Sequence, residues 1–318
     1  MAAAICLGEL LIDFVPTVTG TGLIDTPAFI KAPGGAPGNV AVGLARLGVS
    51  SAFMGKVGDD PFGHFLANTL AEAGVDVSPL CFATEARTAL AFVSLRADGE
   101  REFMFYRHPS ADMLFTPREV DVDVINRAKL LHFGSISLIG EPSRGATLYA
   151  VDTARAAGCL ISYDPNLRLP LWPDANAARD GMLLGLKKAH VVKLSDDESE
   201  FLTGISNLEN ARKALWHDDL KLMVVTRGRA GCVYFTQDFT GTVESFIVEA
   251  VDATGAGDGF VAGLLQGLLA DPATFQNEAS LRELCRFANA VGALATLERG
   301  AIPALPDRER VLDFLRHR

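Results

Sequence analysis

The chain has 318 residues, enough to bury a full hydrophobic core without disulfide or metal staples. Hydrophobic residues make up 49% and charged residues 21%, a globular mixture that excludes a disordered chain. With 29 Lys and Arg against 39 Asp and Glu the formal charge is −10, which argues against nucleic-acid or anionic-membrane partners but not against a local cationic pocket.

The opening run Ala4–Leu11 reads as a buried strand. Glu9 and Asp13 in the first stretch, with no basic region ahead of them, argue against a secretory signal. No uncharged apolar stretch of about 18 residues occurs, so no membrane helix is expected and the location implied is cytoplasmic. Asn39–Leu47 reads as a helix stopped by Gly48. Ser51–Val57 is a strand, followed by a helix with Asp60 as N-cap and Pro61 in its first position, running to Gly74. Leu130–Phe133, Leu160–Tyr163, His190–Leu194, Lys221–Thr226 and Gly231–Phe235 read as later strands. Helical stretches between many of them predict parallel crossovers and a layered α/β fold.

Two excursions break that rhythm. Thr17–Lys31 is too long for an ordinary strand-to-helix loop. Thr88–Leu95 and Arg101–Arg107, joined across Asp98-Gly99, carry a hairpin signal. Together, as insertions at about 14–33 and 87–110, they predict a small β layer outside the main sheet. Its apolar face needs cover, either from a cleft or from a second subunit. No repeat, linker or clean boundary appears, so one domain spanning residues 1–318 is expected. The five cysteines, Cys6, Cys81, Cys159, Cys232 and Cys285, show no metal-ligand spacing and read mostly as small buried hydrophobes in a reducing compartment.

The most informative stretch runs from Val251 to Phe260, with an apolar helical run to Ala270 behind it. Gly255, Ala256 and Gly257 let the backbone turn tightly with its N–H groups outward, at the positive end of a helix. That combination makes an anion site. Asp258 at the helix start has two readings, a helix cap or a base that accepts a hydroxyl's proton during phosphoryl transfer. An ordinary carboxylate, with a pKa of about 4, suffices for the second. The stretch is neither a Walker A loop nor a dinucleotide fingerprint.

Asp13 follows the first strand, and Gly34-Gly35-Ala36-Pro37-Gly38-Asn39 opens the next helix. Asp13 and Asn39 suit vicinal hydroxyls at the carboxyl ends of parallel strands; alternatively, Asn39 is an N-cap and Asp13 a solvated strand end. Asp164-Pro165-Asn166-Leu167-Arg168 follows another strand, with Arg168 either neutralising phosphate or pairing with Asp164. Glu198 either holds water around Mg2+ or completes an acidic helix start. His64, His132, His190 and His217 share no metal-ligand spacing. Trp172 and Trp216 read as packing anchors.

These residues resemble the PfkB, or ribokinase-like, carbohydrate kinases, and within them the plant-type fructokinases. The resemblance rests on Gly34-Gly35-Ala36-Pro37-Gly38-Asn39-Val40-Ala41 and Asp252-Ala253-Thr254-Gly255-Ala256-Gly257-Asp258. Gly8–Phe14, Arg101–Arg107, Tyr163–Arg168 and Phe287–Ala290 extend it, collinear over about residues 4–306. It implies a three-layer sandwich with a mostly parallel sheet and a β lid over a sugar. It implies Asp258 as base, with Gly255, Ala256 and Gly257 as anion hole and Arg168 near the transferred phosphate. The sugar side would comprise Asp13, Gly34, Gly35, Asn39, Phe103, Phe105 and Arg168. Lys193, Thr226, Gly228, Gly231 and Asn289 would lie on the ATP side. Glu198 would serve Mg2+ through water, and Asp252 and Thr254 would serve K+. The implied reaction is phosphorylation of D-fructose at C6, and the lid is a candidate homodimer contact. Kinases for ribose, adenosine or 2-keto-3-deoxygluconate share these features, and a catalytically silent scaffold would share the glycines.

Four positions depart from the family pattern. Ser195 stands where NxxE has asparagine, Ala253 where DTTGAGD has threonine, Gly259 where alanine follows the base, and His108 where the fructokinase branch commonly has asparagine.

Overall fold

The computed structural model describes residues 2–18, 20–95 and 101–318, without the side chains of residues 95 and 101–103. The turn expected at Asp98-Gly99 and the Phe103 side chain lie outside the described residues. In chain order the elements are β1 (Ala4–Leu7), β2 (Leu11–Pro16), β3 (Phe29–Gly34), α1 (Ala36–Arg46), β4 (Ser51–Gly58), α2 (Pro61–Glu72) and β5 (Leu80–Ala83). Then come β6 (Ala89–Leu95), β7 (Arg101–Tyr106), α3 (Val122–Ile125), β8 (Leu130–Phe133), α4 (Ser143–Ala156), β9 (Leu160–Tyr163) and α5 (Ala175–Leu186). The rest are β10 (Val191–Ser195), α6 (Asp196–Thr203), α7 (Leu208–Leu215), β11 (Leu222–Thr226), β12 (Cys232–Phe235), β13 (Thr240–Val243), α8 (Ala256–Ala270), α9 (Glu278–Leu294), α10 (Ala301–Ala304) and α11 (Arg308–Arg316).

Nine strands form the central sheet in the order β13-β12-β11-β10-β9-β8-β1-β4-β5. Its strands are parallel from β11 to β5, and β12 and β13 are antiparallel additions at one edge. Alternation along each strand explains the layers. Ala4 and Cys6 of β1 enter one core with α1, α2, α8 and α9. Ile5 and Leu7 enter the other, with α4 and α5. The first helix packs closely on α8: a Cβ on Gly43 would come within 2.6 Å of the Ala262 Cβ. Four of the cysteines are buried, Cys81 is half-buried, and all five are free thiols. No helix among the described residues is long and apolar enough to cross a membrane.

The second sheet, ordered β3-β2-β6-β7, is the lid. Here one expectation fails: Ala4–Leu11 is not a single strand. The apolar run serves two sheets, β1 ending at Leu7 and β2 beginning at Leu11. Between them Gly8 (φ +152) passes so close beneath Pro37 that a Cβ would sit 2.7 Å from its ring. The helix expected from Asn39 begins three residues sooner, at Ala36, because Pro37 fits a first turn and Gly35 (φ +108) supplies the cap. Asn39 is therefore inside the helix and is not its N-cap. The short edge strands β5 and β13 escape the sequence pattern, being four residues each and partly exposed.

Asp60 caps α2 as expected, accepting the N–H groups of Phe62 and Gly63 at 2.9 Å each. It also accepts the N–H (2.8 Å) and hydroxyl (2.9 Å) of Thr88, at the entry to β6. One carboxylate thus serves the core helix and the lid. Asp60→Ala is expected to lower unfolding free energy by about 2–4 kcal/mol, since it removes a cap and strands buried donors. Urea denaturation checks this, and Asp60→Asn is expected to recover part of the loss.

Candidate active site

A cavity of about 430 Å3 lies between the lid and the carboxyl ends of the central strands. Asp13, Gly35, Asn39, Phe105, Arg168, Lys193, Asp252, Thr254, Gly255, Gly257 and Asp258 all line it, although the sequence spreads them over more than two hundred positions. The sheet topology explains the gathering, because parallel strands deliver their following loops to one edge. The lid contributes an apolar ceiling of Leu11, Val15, Val93 and Phe105, with Ala89 and Ala91 packed behind Leu11 and Phe105. Gly34 stands just behind the wall, where a Cβ would run into the Asp13 carboxylate.

At the floor, Asn39 on α1 donates its amide N–H to Asp258 Oδ2 on α8 at 2.7 Å. This fixes one carboxylate oxygen and so orients the other. Gly255 is the N-cap of α8 in the left-handed region (φ +82), which places Asp258 in the helix's first turn with no cap bond from its side chain. The capping reading of Asp258 is therefore not what the structure shows. Burial pushes the Asp258 pKa up to about 6; Asp164 adds to the rise, while the Asn39 bond, Lys193 and Arg168 oppose it. This corrects the expectation of an ordinary carboxylate near 4.

Of the two readings of Arg168, pairing with Asp164 is not the one that the structure shows. Lys193 Nζ binds Asp164 Oδ2 at 3.0 Å, whereas Arg168 donates to the Leu167 carbonyl at 3.0 Å. Burial works against the Lys193 charge, but Asp164 and Glu198 outweigh it and hold the ammonium above its usual range. The ammonium lies beside the anion loop, since a Cβ on Gly257 would come 3.2 Å from it. Two cations and a helix amino end therefore face the carboxylate across one cavity, an arrangement suited to an anionic group next to a hydroxyl.

Glu198 lines an adjoining recess with Lys193 and Asp197. Its Oε1 accepts the Leu167 N–H (2.7 Å) and Oε2 the Ser195 N–H (2.8 Å), the latter within a capping box that starts α6. Each oxygen keeps a second lone pair that can hold water. Among the described residues no cluster of three or more His, Cys, Asp or Glu side chains can cage a metal. The free lone pairs of Glu198 fit the water shell of a Mg2+, an ion that keeps several of its waters. Asp252 accepts the Thr254 N–H (2.9 Å) and hydroxyl (2.7 Å) through Oδ1 and the Gly300 N–H (3.0 Å) through Oδ2. That ties the loop of Asp252 and Thr254, expected to serve K+, to the segment at Gly300 that precedes α10.

Of the residues expected on the ATP side, Lys193 lines this cavity, whereas Thr226, Gly228, Gly231 and Asn289 stand apart from it, around β11, β12 and β13. The Thr226 hydroxyl donates to the Leu194 carbonyl (3.2 Å), and Gly228 (φ +53) and Gly231 (φ +85) shape the turn into β12. Asn289 is buried and donates to the carbonyls of Val243 (3.3 Å) and Glu244 (3.1 Å), so its amide secures the chain leaving β13. Burial holds His132 down at about 3 and His190 at about 4, so both are neutral side chains near neutral pH. Sequence reasoning passed over Glu9, which lines the cavity. The available signal was a carboxylate inside an apolar run between two strands.

A three-layer α/β core, a β lid and a carboxylate beside a helix-start anion loop define a ribokinase-like small-molecule kinase. The chain belongs to the pfkB family of carbohydrate kinases, whose family model matches residues 1–308. It is 56% identical over 313 residues to the probable fructokinase-4 of Arabidopsis thaliana, covering 98% of this chain and 96% of that protein. The fructokinase of Xylella fastidiosa, solved with bound ATP, superposes with a TM-score of 0.91 at 35% identity, over 100% of this chain and 99% of that one. A double mutant of Vibrio cholerae O395 fructokinase, solved in a fructose-, ADP- and potassium-ion-bound form, gives 0.89 at 36% identity, over 99% and 98%. The chain is thus an ATP-dependent sugar kinase.

Proposed function

We propose that the protein transfers the γ-phosphoryl group of ATP to the C6 hydroxyl of D-fructose, giving fructose 6-phosphate and ADP. The carrying observation is the Asn39-oriented Asp258 carboxylate facing Arg168 and the α8 anion loop under the lid. Similarity to proteins named fructokinases supports fructose as the sugar.

In this reading Asp13, Gly35 and Asn39 hold the sugar hydroxyls from one side. Phe105 covers the sugar from the lid, with Gly34 leaving room for the Asp13 carboxylate. Asp258 accepts the C6 hydroxyl proton as the new O–P bond forms and the bond to the β,γ-bridging oxygen breaks, leaving ADP. Gly255 and Gly257 donate backbone N–H groups to the transferring phosphoryl oxygens, while the Ala256 N–H, expected to join them, donates instead to the Ala253 carbonyl at 3.3 Å and tightens the loop; Arg168 and Lys193 balance the phosphoryl charge. Closure of the lid excludes water that would otherwise take the phosphoryl group. Thr226, Gly228, Gly231 and Asn289 shape the nucleotide side. Mg2+, held through water by Glu198, supplies charge neutralisation on the phosphates. K+ fits the loops tied by Asp252 and Thr254 and would stiffen the anion site. The outer face of the lid, where Phe92 stacks on Phe14 at 4.7 Å and Tyr106 is exposed, is the surface through which two copies would pair. A cytoplasmic location completes the reading.

ADP release from Mg-ATP across fructose, glucose, mannose, ribose, adenosine and 2-keto-3-deoxygluconate tests it. Fructose is expected to lead, with the 6-phosphate as product. Faster turnover of another acceptor overturns the fructose assignment, and no turnover of any by folded, ATP-binding protein favours a silent scaffold. The pH profile gives a second check. Asp258 works ionised and holds its proton until about pH 6. On the acid side kcat/KM is therefore expected to fall about tenfold per pH unit below that point.

A further inference from the structure

Glu9 lies in the link between β1 and β2, where the chain leaves the central sheet for the lid. It is only 2% exposed. Its Oε1 accepts the N–H of Ala36 at 3.3 Å, the residue at which the chain returns from the lid and α1 begins. Its Oε2 is buried and has no hydrogen-bond partner within the protein. The two crossings are also in close backbone contact, for a Cβ on Gly35 would come 2.5 Å from the Glu9 carbonyl oxygen. Leaving a carboxyl oxygen unmatched in the interior is costly. Packing alone would be better served by an apolar side chain, so this position calls for another explanation.

We propose that Glu9 is a positioning residue for phosphoryl transfer, its carboxylate tying the root of the lid to the amino end of α1 so that Gly35 and Asn39 are held in register with Asp258. The assignment rests on the sugar-kinase reading above. Asn39 lies in the turn of α1 that starts at Ala36, so a shift of the helix start moves the amide that orients Asp258. A carboxylate suits that place, because its negative charge meets the positive end of the helix.

The tie is proton-linked. Burial pushes the Glu9 pKa up to about 7. The charged groups facing it are Arg107, which favours the anion, and Asp112, which opposes it; these two form a buried ion pair at 2.6 Å where the second lid excursion rejoins the core. From α1 it meets the Ala36 N–H. Deprotonation strengthens the hold on Ala36, so sugar affinity rises as pH passes through about 7.

The test compares wild type, Glu9→Gln and Glu9→Ala in kcat, KM for ATP and KM for whichever sugar wild type turns over fastest, from about pH 5.5 to 8.5. Glu9→Ala is expected to raise the sugar KM about tenfold, with the ATP KM within about twofold. Glu9→Gln keeps an acceptor for Ala36 without the charge. It is expected to fall between the two and to lose the inflection near pH 7, while keeping the decline below pH 6 set by Asp258. A sugar KM unchanged in both variants, or an inflection near pH 7 that survives in Glu9→Gln, overturns the assignment. If Glu9→Ala does not fold, the Glu9→Gln pH profile decides. Failure of the parent reading shows in wild type itself, as a different preferred sugar or no turnover. The first leaves the Glu9 comparison to be made with that sugar, and the second removes the assignment.

Discussion

Replacing Asp258 with Asn is expected to cut kcat by about 10²–10⁴-fold, the range associated with removing a general base. The ATP KM is expected to stay close to wild type, because the anion loop is untouched. Asn can still accept the Asn39 amide, so the fold is retained. The variant is also expected to be more stable than wild type at neutral pH. The sign follows from Asp258 ionising at about 6 when folded, against an ordinary value of 3.8. Between those values the unfolded chain gives up the proton first, so rising pH drains stability, and the penalty is complete above about 6. Removing the charge recovers about 1–3 kcal/mol at pH 7.5 and little at pH 4. Thermal melts at both pH values, beside a coupled ADP assay, check the two halves together. A variant with wild-type turnover would show that Asp258 is not the base.

Gly255→Val is expected to abolish measurable transfer, with a loss of at least about 100-fold. Gly255 has φ +82, a region costly for a β-branched side chain. Even a Cβ would sit 2.7 Å from the Ala301 Cβ and 2.8 Å from its Cα. The anion loop or the segment that starts α10 must then move, and both border the cavity. Strain and displacement are expected to cost about 1–3 kcal/mol of stability. A circular-dichroism melt and single-turnover assays at saturating ATP separate the loss of stability from the loss of catalysis. Gly48→Val is the control: it also replaces a glycine at positive φ (+87), but open space surrounds it and it does not line the cavity.

Much of the site was readable because its groups belong to contiguous motifs at strand ends. Asp258 with its glycines, Asn39 in its glycine turn and Arg168 after a strand each carry a local signal. What the sequence could not supply was pairing between motifs. Asp164 has Arg168 four residues away, yet binds Lys193 from the neighbouring strand, because β9 and β10 run side by side. Burial was equally invisible, and it moves Asp258 out of the ordinary carboxylate range. In the fold, strands with continuous apolar runs were found, while β5 and β13 were not, since edge position allows polar and exposed residues. The division of Ala4–Leu11 between two sheets rests on Gly8 passing beneath Pro37, a contact between segments that the local pattern does not encode. Asn289 stands in a stretch that signals the nucleotide end, but its amide is spent on the backbone after β13.

The close packing of α1 on α8 has a consequence for the nascent chain. From β8 to β13 each strand pairs with its predecessor, so the sheet can extend outward as the ribosome delivers it. The Asn39–Asp258 bond cannot follow that schedule, because its partners are 219 residues apart. The α1 side of the cavity therefore waits through most of translation for the helix that brings both Asp258 and the glycine loop before it. A chain interrupted before α8 carries neither, so on the proposed mechanism a shortened product of that kind is expected to phosphorylate no sugar, and kinase activity to appear only once the amino- and carboxyl-terminal parts of the core have met.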